Sequence, residues 1–185
     1  MRVISGTARG RRLKELPGMD TRPTTDKVKE SLFNIIQFDI EGRQVLDLFG
    51  GTGQLGIEAL SRGAARCTFV DMSRQAAAVI RENVTAVGFA DRAVVQQGEA
   101  MAFLSGCREK YDLIFLDPPY QTQLLENCVQ AVVKFDILSE HGIMVCESAV
   151  ETQLPEPEAP YEKGREYRYG KIKLTVYRRQ GSIEL

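Results

Sequence analysis

What the 185-residue chain lacks narrows its class first. No apolar run approaches the roughly 20 residues needed to span a bilayer. The start, Met1-Arg2-Val3-Ile4-Ser5-Gly6, carries no apolar stretch of the signal-peptide kind. A cytoplasmic protein without a membrane partner is therefore expected. Cysteine is sparse: Cys67, Cys107, Cys128 and Cys146 lie far apart with no paired ligand spacing. That argues against a zinc site or a disulfide framework, suits a reducing compartment, and leaves the four as small apolar core residues. The single histidine, His141, lies in Ser139-Glu140-His141-Gly142 and reads as a turn residue, and no metal site is expected. Repeats and low-complexity linkers are missing, so one domain is expected over residues 1–185, divided into a basic extension (1–16), a loop and helix (17–40) and a core (44–185).

A formal net charge of -1 hides an asymmetry. Residues 1–14 hold Arg2, Arg9, Arg11, Arg12 and Lys14 and no acid, a charge of +5. Residues 161–179 hold Lys163, Arg165, Arg168, Lys171, Lys173, Arg178 and Arg179 against Glu162 and Glu166, again +5. The body between, residues 15–160, has 12 basic and 22 acidic residues. Positive ends on an acidic body suit a polyanionic partner, because clustered cations release counterions from phosphates. A pair of solvated faces is the other reading that charge alone allows.

The hydrophobicity pattern predicts an alternating α/β chain. Met1 to Leu16 reads as two short strands around Gly6-Thr7-Ala8-Arg9-Gly10, a basic hairpin. Arg22-Pro23-Thr24-Thr25-Asp26 leads into a helix with Thr24 or Thr25 as cap and Val28, Leu32, Ile35 and Ile36 as its apolar stripe. Strands follow at Val45–Phe49, Cys67–Asp71, Ala93–Val95, Tyr111–Asp117 and Ile143–Cys146, separated by helices whose apolar faces include Ala76, Ile80, Val84 and Val87, then Leu125, Cys128, Val129 and Val132. Such alternation implies a mostly parallel twisted sheet covered on both faces. Tyr161–Tyr169 and Lys171–Arg179, turning at Gly170, add an antiparallel hairpin at one sheet edge.

At the end of the first strand stands Asp47-Leu48-Phe49-Gly50-Gly51-Thr52-Gly53-Gln54-Leu55-Gly56. Gly51, Gly53 and Gly56 satisfy G-x-G-x-x-G, and Asp71 ends the next strand about twenty residues on, as adenosine-binding loops require. Asp71 is placed to accept from both ribose hydroxyls. Asp47 would repel a pyrophosphate but attract an ammonium and a sulfonium, which favours S-adenosylmethionine over NAD. Capping of nearby backbone is the alternative role for Asp47, and close helix packing is the preferred role of Gly56. In Gly98-Glu99-Ala100, Glu99 accepts from an adenine amino group with Ala100 as backbone donor, or simply favours a helix start.

Asp117-Pro118-Pro119-Tyr120 ends the fourth strand on the same sheet edge. Two prolines remove two amide donors and leave carbonyls as acceptors. An amino group on a planar base is a poor nucleophile because its lone pair is delocalised into the ring. Bonds from its two protons to the Asp117 carboxylate and the Pro118 carbonyl would turn that lone pair out, while Tyr120 stacks on the base. Alignment and preorganised acceptors then supply the rate without metal or covalent intermediate.

Carrying these residues, the chain resembles the class I methyltransferases, and among them the bacterial small-subunit ribosomal RNA guanine-N2 methyltransferase family (RsmD-like). The likeness runs nearly end to end, through Arg22–Asn34, Leu46–Ala64, Leu116–Tyr120 and Glu147-Ser148. It implies a Rossmann-like sheet of about seven strands, S-adenosyl-L-methionine as donor with S-adenosyl-L-homocysteine as product, and methylation of the 2-amino group of one guanine in 16S rRNA. The loop with Arg22 and Thr24 and the early helix would close over the donor, and Gly50, Met72 and Asp117 join the donor-binding set. Arg2, Arg9, Arg11, Arg12, Lys14, Arg168 and Lys171 would contact RNA presented with ribosomal proteins, and a monomer is expected. Competing readings are a DNA adenine methyltransferase, for which no segment is long enough to form a DNA-recognition domain; a protein glutamine methyltransferase, which usually carries asparagine where Asp117 stands; an NAD oxidoreductase; and a non-catalytic RNA-binding module.

Overall fold

Strand residues in this chain alternate between two apolar faces, and that alternation builds the molecule. A computed structural model describes residues 1–17, 26–119 and 122–181. Strands β1 (Gln44–Asp47), β2 (Arg66–Asp71), β3 (Ala93–Gln97), β4 (Tyr111–Leu116), β5 (Leu138–Ala149), β6 (Tyr161–Tyr169) and β7 (Ile172–Arg179) form one sheet in the order β3-β2-β1-β4-β5-β7-β6. The first five in that order run parallel, while β7 is antiparallel to both β5 and β6. The helices are α1 (Asp26–Ile35), α2 (Gln54–Ser61), α3 (Arg74–Ala86), α4 (Ala100–Gly106) and α5 (Thr122–Lys134). None of the described helices is long and apolar enough to cross a membrane.

Val45, Phe69, Leu113, Phe115, Val145 and Val176 point to the face covered by α1, α2 and α3. Leu46, Val70, Ile114, Leu116, Met144 and Tyr177 point to the face covered by α4 and α5. Each such side chain contributes roughly 1.5–3 kcal/mol by leaving water, which fixes the register because a one-residue slip would exchange the faces. Ser73 caps α3, accepting from the Ala76 N–H at 3.1 Å.

Two elements differ most from their sequence reading. The strand β5 begins at Leu138 rather than Ile143, because the polar run 139–141 hides a bulge: His141 has φ 62 and the register to β4 shifts between Tyr111 and Leu113. The N-terminal hairpin is a single Arg2–Arg12 bridge, closed by Val3 N–H to Arg11 O at 2.9 Å and Leu13 N–H to Met1 O at 3.0 Å.

That hairpin is fastened by buried groups. The Glu58 carboxylate, on α2 and fully buried, accepts from the Ile4 and Ser5 N–H groups at 2.7 and 3.1 Å, from Lys29 Nζ of α1 at 3.2 Å and from Arg62 Nε at 3.0 Å. Burial pulls the Lys29 ammonium below the usual lysine range, opposed by Glu58. A Cβ at Gly6, where φ is 87, would lie 1.9 Å from the Ser61 carbonyl oxygen, so glycine is required for this approach.

Candidate active site

The sheet order reverses between β1 and β4, and a crevice opens there beyond the carboxyl ends of the parallel strands, the usual ligand position in such sheets. The pairing of Asp47 with Phe115 sets the glycine loop and Asp117 side by side, each just past the end of its strand. Leu48 N–H still reaches Phe115 O at 3.2 Å before the chain turns.

The glycines form a tight loop. Gly51 and Gly53 have φ of 59 and 84, Gly50 N–H donates to Val70 O at 3.0 Å, and Gly53, which opens α2, donates to Gly50 O at 2.7 Å. A Cβ at Gly50 would meet Ile80 Cδ1 at 2.7 Å, and one at Gly56 would meet the Phe69 ring at 2.3 Å and the Cys67 sulfur at 2.6 Å. Gly56 thus serves close packing of α2 on β2, as preferred from the sequence. Above Gly51 and Gly98 a Cβ would enter open space.

Asp71 is tied to this loop. One of its carboxylate oxygens accepts from Gly51 N–H and the other from Ser73 N–H, both at 2.9 Å. A carboxylate oxygen has two lone-pair sites, so each retains capacity for a hydroxyl. Asp47 behaves differently: it is 2% exposed and accepts from Gly56 N–H at 3.0 Å, in the first turn of α2. Burial pushes its carboxyl up to about 7, with the Gly56 bond opposing and the Asp71 charge adding. This is the backbone-capping role that the sequence left as the alternative. Met72 projects beside Asp71, 72% exposed. Glu99 stands at the start of α4, exposed and without a capping bond from its side chain, and buried Ala100 begins the helix, where backbone N–H groups lack intrahelical partners.

Beyond β4 come Asp117, half-buried, Pro118, buried, and Pro119, exposed. Arg22, Thr24 and Tyr120 lie outside the described residues. Glu147, buried near the carboxyl end of β5, follows Cys146, which pairs with Leu116. The basic candidates fall into two places. Arg2, Arg9, Arg11, Arg12 and Lys14 are exposed on the N-terminal arm against α2 and α3, whereas exposed Arg168 and Lys171 flank the β6–β7 turn beside the end of β5. Arg11 donates to the Ala86 carbonyl and Lys14 pairs with Glu82 at 2.8 Å.

These residues fit the cofactor that the resemblance implies. Asp71 offers both oxygens beside a loop with open space above Gly51, and exposed Glu99 and half-buried Asp117 lie at the same edge, which suits a ligand bearing an ammonium and a sulfonium. Asn83 was not singled out from the sequence. A polar residue inside the apolar stripe Ala76–Ile80–Val84 was the available signal; it is 3% exposed and hydrogen-bonds the Thr52 carbonyl within the glycine loop at 2.9 Å.

Comparison with known proteins gives the family of the chain. The family described as "Conserved hypothetical protein 95" matches residues 1–178. The Bacillus subtilis (strain 168) protein named "Putative rRNA methyltransferase YlbH" is 40% identical over 184 residues, covering 98% of this chain and 100% of the relative. The "Ribosomal RNA small subunit methyltransferase D" of Escherichia coli (strain K12) is 35% identical, covering 100% and 92%. The solved structure of "Putative methyltransferase yhhF from Escherichia coli" superposes with a TM-score of 0.89 at 35% identity, covering 97% of this chain and 98% of that one. The chain therefore belongs to the conserved hypothetical protein 95 family, the family of the small-subunit ribosomal RNA methyltransferase D proteins.

Proposed function

We propose that this chain is an S-adenosylmethionine-dependent ribosomal RNA methyltransferase that modifies the exocyclic 2-amino group of a guanine in 16S rRNA, within small-subunit particles in the cytoplasm. The observation that carries the reading is the β1–β4 register, which sets Asp117-Pro118 next to a glycine loop gripped by Asp71. S-adenosylmethionine, when bound, supplies a methyl group on a cationic sulfur. Asp71 holds the ribose hydroxyls, Met72 packs on the adenine, and Ala100 N–H with Glu99 reads its edge. Asp47 shapes the loop through its bond to Gly56. The Asp117 carboxylate and Pro118 carbonyl accept the two amino protons of the base and turn its lone pair outward, while Tyr120 stacks on the ring. Arg22 and Thr24 contribute to donor binding. Residues 1–185 act as one methyltransferase domain.

Tritium transfer from labelled donor to naked rRNA, isolated small subunits and duplex DNA, followed by nucleoside analysis, tests the reading. Labelled N2-methylguanosine from either RNA substrate is expected, and label confined to adenine in DNA would overturn it. Asp117→Ala should cut turnover at least about 100-fold while donor affinity, measured by calorimetry, falls far less.

A further inference from the structure

We propose that Asn83 is a positioning residue that couples the basic N-terminal arm to the donor-binding glycine loop, so that RNA and donor bind cooperatively through it. The proposal rests on the functional reading above and deepens it. One buried amide touches both parts: Asn83 Oδ1 accepts from the Lys14 N–H at 2.7 Å, and Nδ2 donates to the Lys14 carbonyl at 3.0 Å and to the Thr52 carbonyl at 2.9 Å. Asn83 therefore pairs with both backbone groups of Lys14, as a neighbouring strand would, and grips the peptide between the two positive-φ glycines with the same group. Thr52 has a second link to the arm, its hydroxyl donating to Met1 Sδ at 3.1 Å. On the other side of that peptide, Gly51 N–H holds Asp71.

The arm has little slack. Leu13 is buried on one side of Lys14, and Leu16 packs on Ala76 and Val79 of α3. The Lys14 ammonium lies 2.8 Å from Glu82, both half-exposed, at the position next to Asn83. A phosphate drawing on Lys14, Arg9 and Arg12 thus loads a backbone whose bonds run through Asn83 to Thr52, and orders the loop that holds Asp71. Coupling of this kind is reciprocal: RNA tightens the donor by the factor by which the donor tightens RNA.

Dialysis with labelled S-adenosylhomocysteine, with and without whichever RNA substrate is methylated, measures that factor. In the wild type RNA should tighten the nucleoside about 5-fold or more. Asn83→Ala should bring the factor close to one while RNA affinity alone falls far less than in Arg9→Ala/Arg12→Ala. A factor near one in the wild type, or one unchanged in Asn83→Ala, overturns the coupling. Because the variant could lose its fold, hydrogen exchange on the wild type gives a second measurement. RNA without donor should slow exchange in the peptide around residues 50–56, and unchanged exchange there also overturns the coupling. Absence of nucleoside binding in the wild type would sink the functional reading itself, which keeps the two failures apart.

Discussion

The two basic ends have the same formal charge in the sequence, yet the fold anchors them differently. At the C-terminal end three of seven cations are spent on internal ion pairs. Lys173, 3% exposed, and Lys163 both meet Glu166, at 3.2 and 3.5 Å, and Arg179 reaches Asp136 through two nitrogens at 2.8 and 3.1 Å. The Arg179 guanidinium holds the Asp136 carboxyl far below the usual carboxylate range. At the N-terminal end the anchors are backbone N–H groups on a buried carboxylate, and most of the cations stay outside. Among the described residues the Arg2, Arg9 and Arg12 side chains have no hydrogen-bond or ion-pair partner. The two ends therefore differ in how they are anchored rather than in how much charge they present: Arg165, Arg168, Lys171 and Arg178 also stay exposed at the C-terminal end, while Arg11 and Lys14 have partners at the N-terminal one.

The largest expected effect tests how the N-terminal arm is held. Glu58→Gln leaves Lys29 buried without its counter-charge and should cost about 3–5 kcal/mol in chemical denaturation; a loss below about 1 kcal/mol would mean that the arm is held by apolar contacts instead. Next comes the proposed RNA surface. Arg9→Ala/Arg12→Ala should flatten the log–log salt dependence of RNA binding by roughly 1.4–1.8. Arg168→Ala/Lys171→Ala should do the same only if the β6–β7 turn also touches RNA, so an unaltered slope there with a reduced one at the arm would sharpen the contrast into a single contact surface. A smaller effect separates the staples. Asp136→Asn should cost about 1 kcal/mol near neutral pH, the pair being partly exposed. Because the folded carboxyl titrates below its unfolded value, that contribution is present above about pH 4 and fades as the pH falls further; a deficit persisting in strong acid would show that packing, not charge, is at stake. The smallest change is Lys14→Ala. Its exposed pair with Glu82 should be worth less than about 0.5 kcal/mol in stability, so any clear loss in RNA binding reports on RNA alone.

Much of the site was legible because it lies at strand ends. The alternating apolar runs predicted the strands, and a strand followed by a glycine loop and then by Asp71 admits few spatial arrangements, so Gly51, Gly53, Asp71 and Asp117 fell on one edge as the pattern required. Asp47 was half legible. Its place beside the loop followed from sequence, but its burial and its bond to Gly56 did not, because those depend on where α2 begins relative to β1. Glu58 and Lys29 were illegible for a related reason: charged residues in helices read as solvent-facing until another element covers them, and here the covering element is the N-terminal arm, more than fifty residues from Glu58.

By itself the sequence determined the alternation of strands and helices, the glycine loop followed by Asp71, and the Asp117-Pro118-Pro119 run after the fourth strand. Those are local properties of spacing, side-chain chemistry and turn-forming residues. Only the tertiary structure decided which charges are available to a partner and which are consumed, and that the arm and the glycine loop meet at Asn83. Both depend on contacts between segments far apart in the chain, where burial and hydrogen-bond geometry, rather than composition, set what each polar group does.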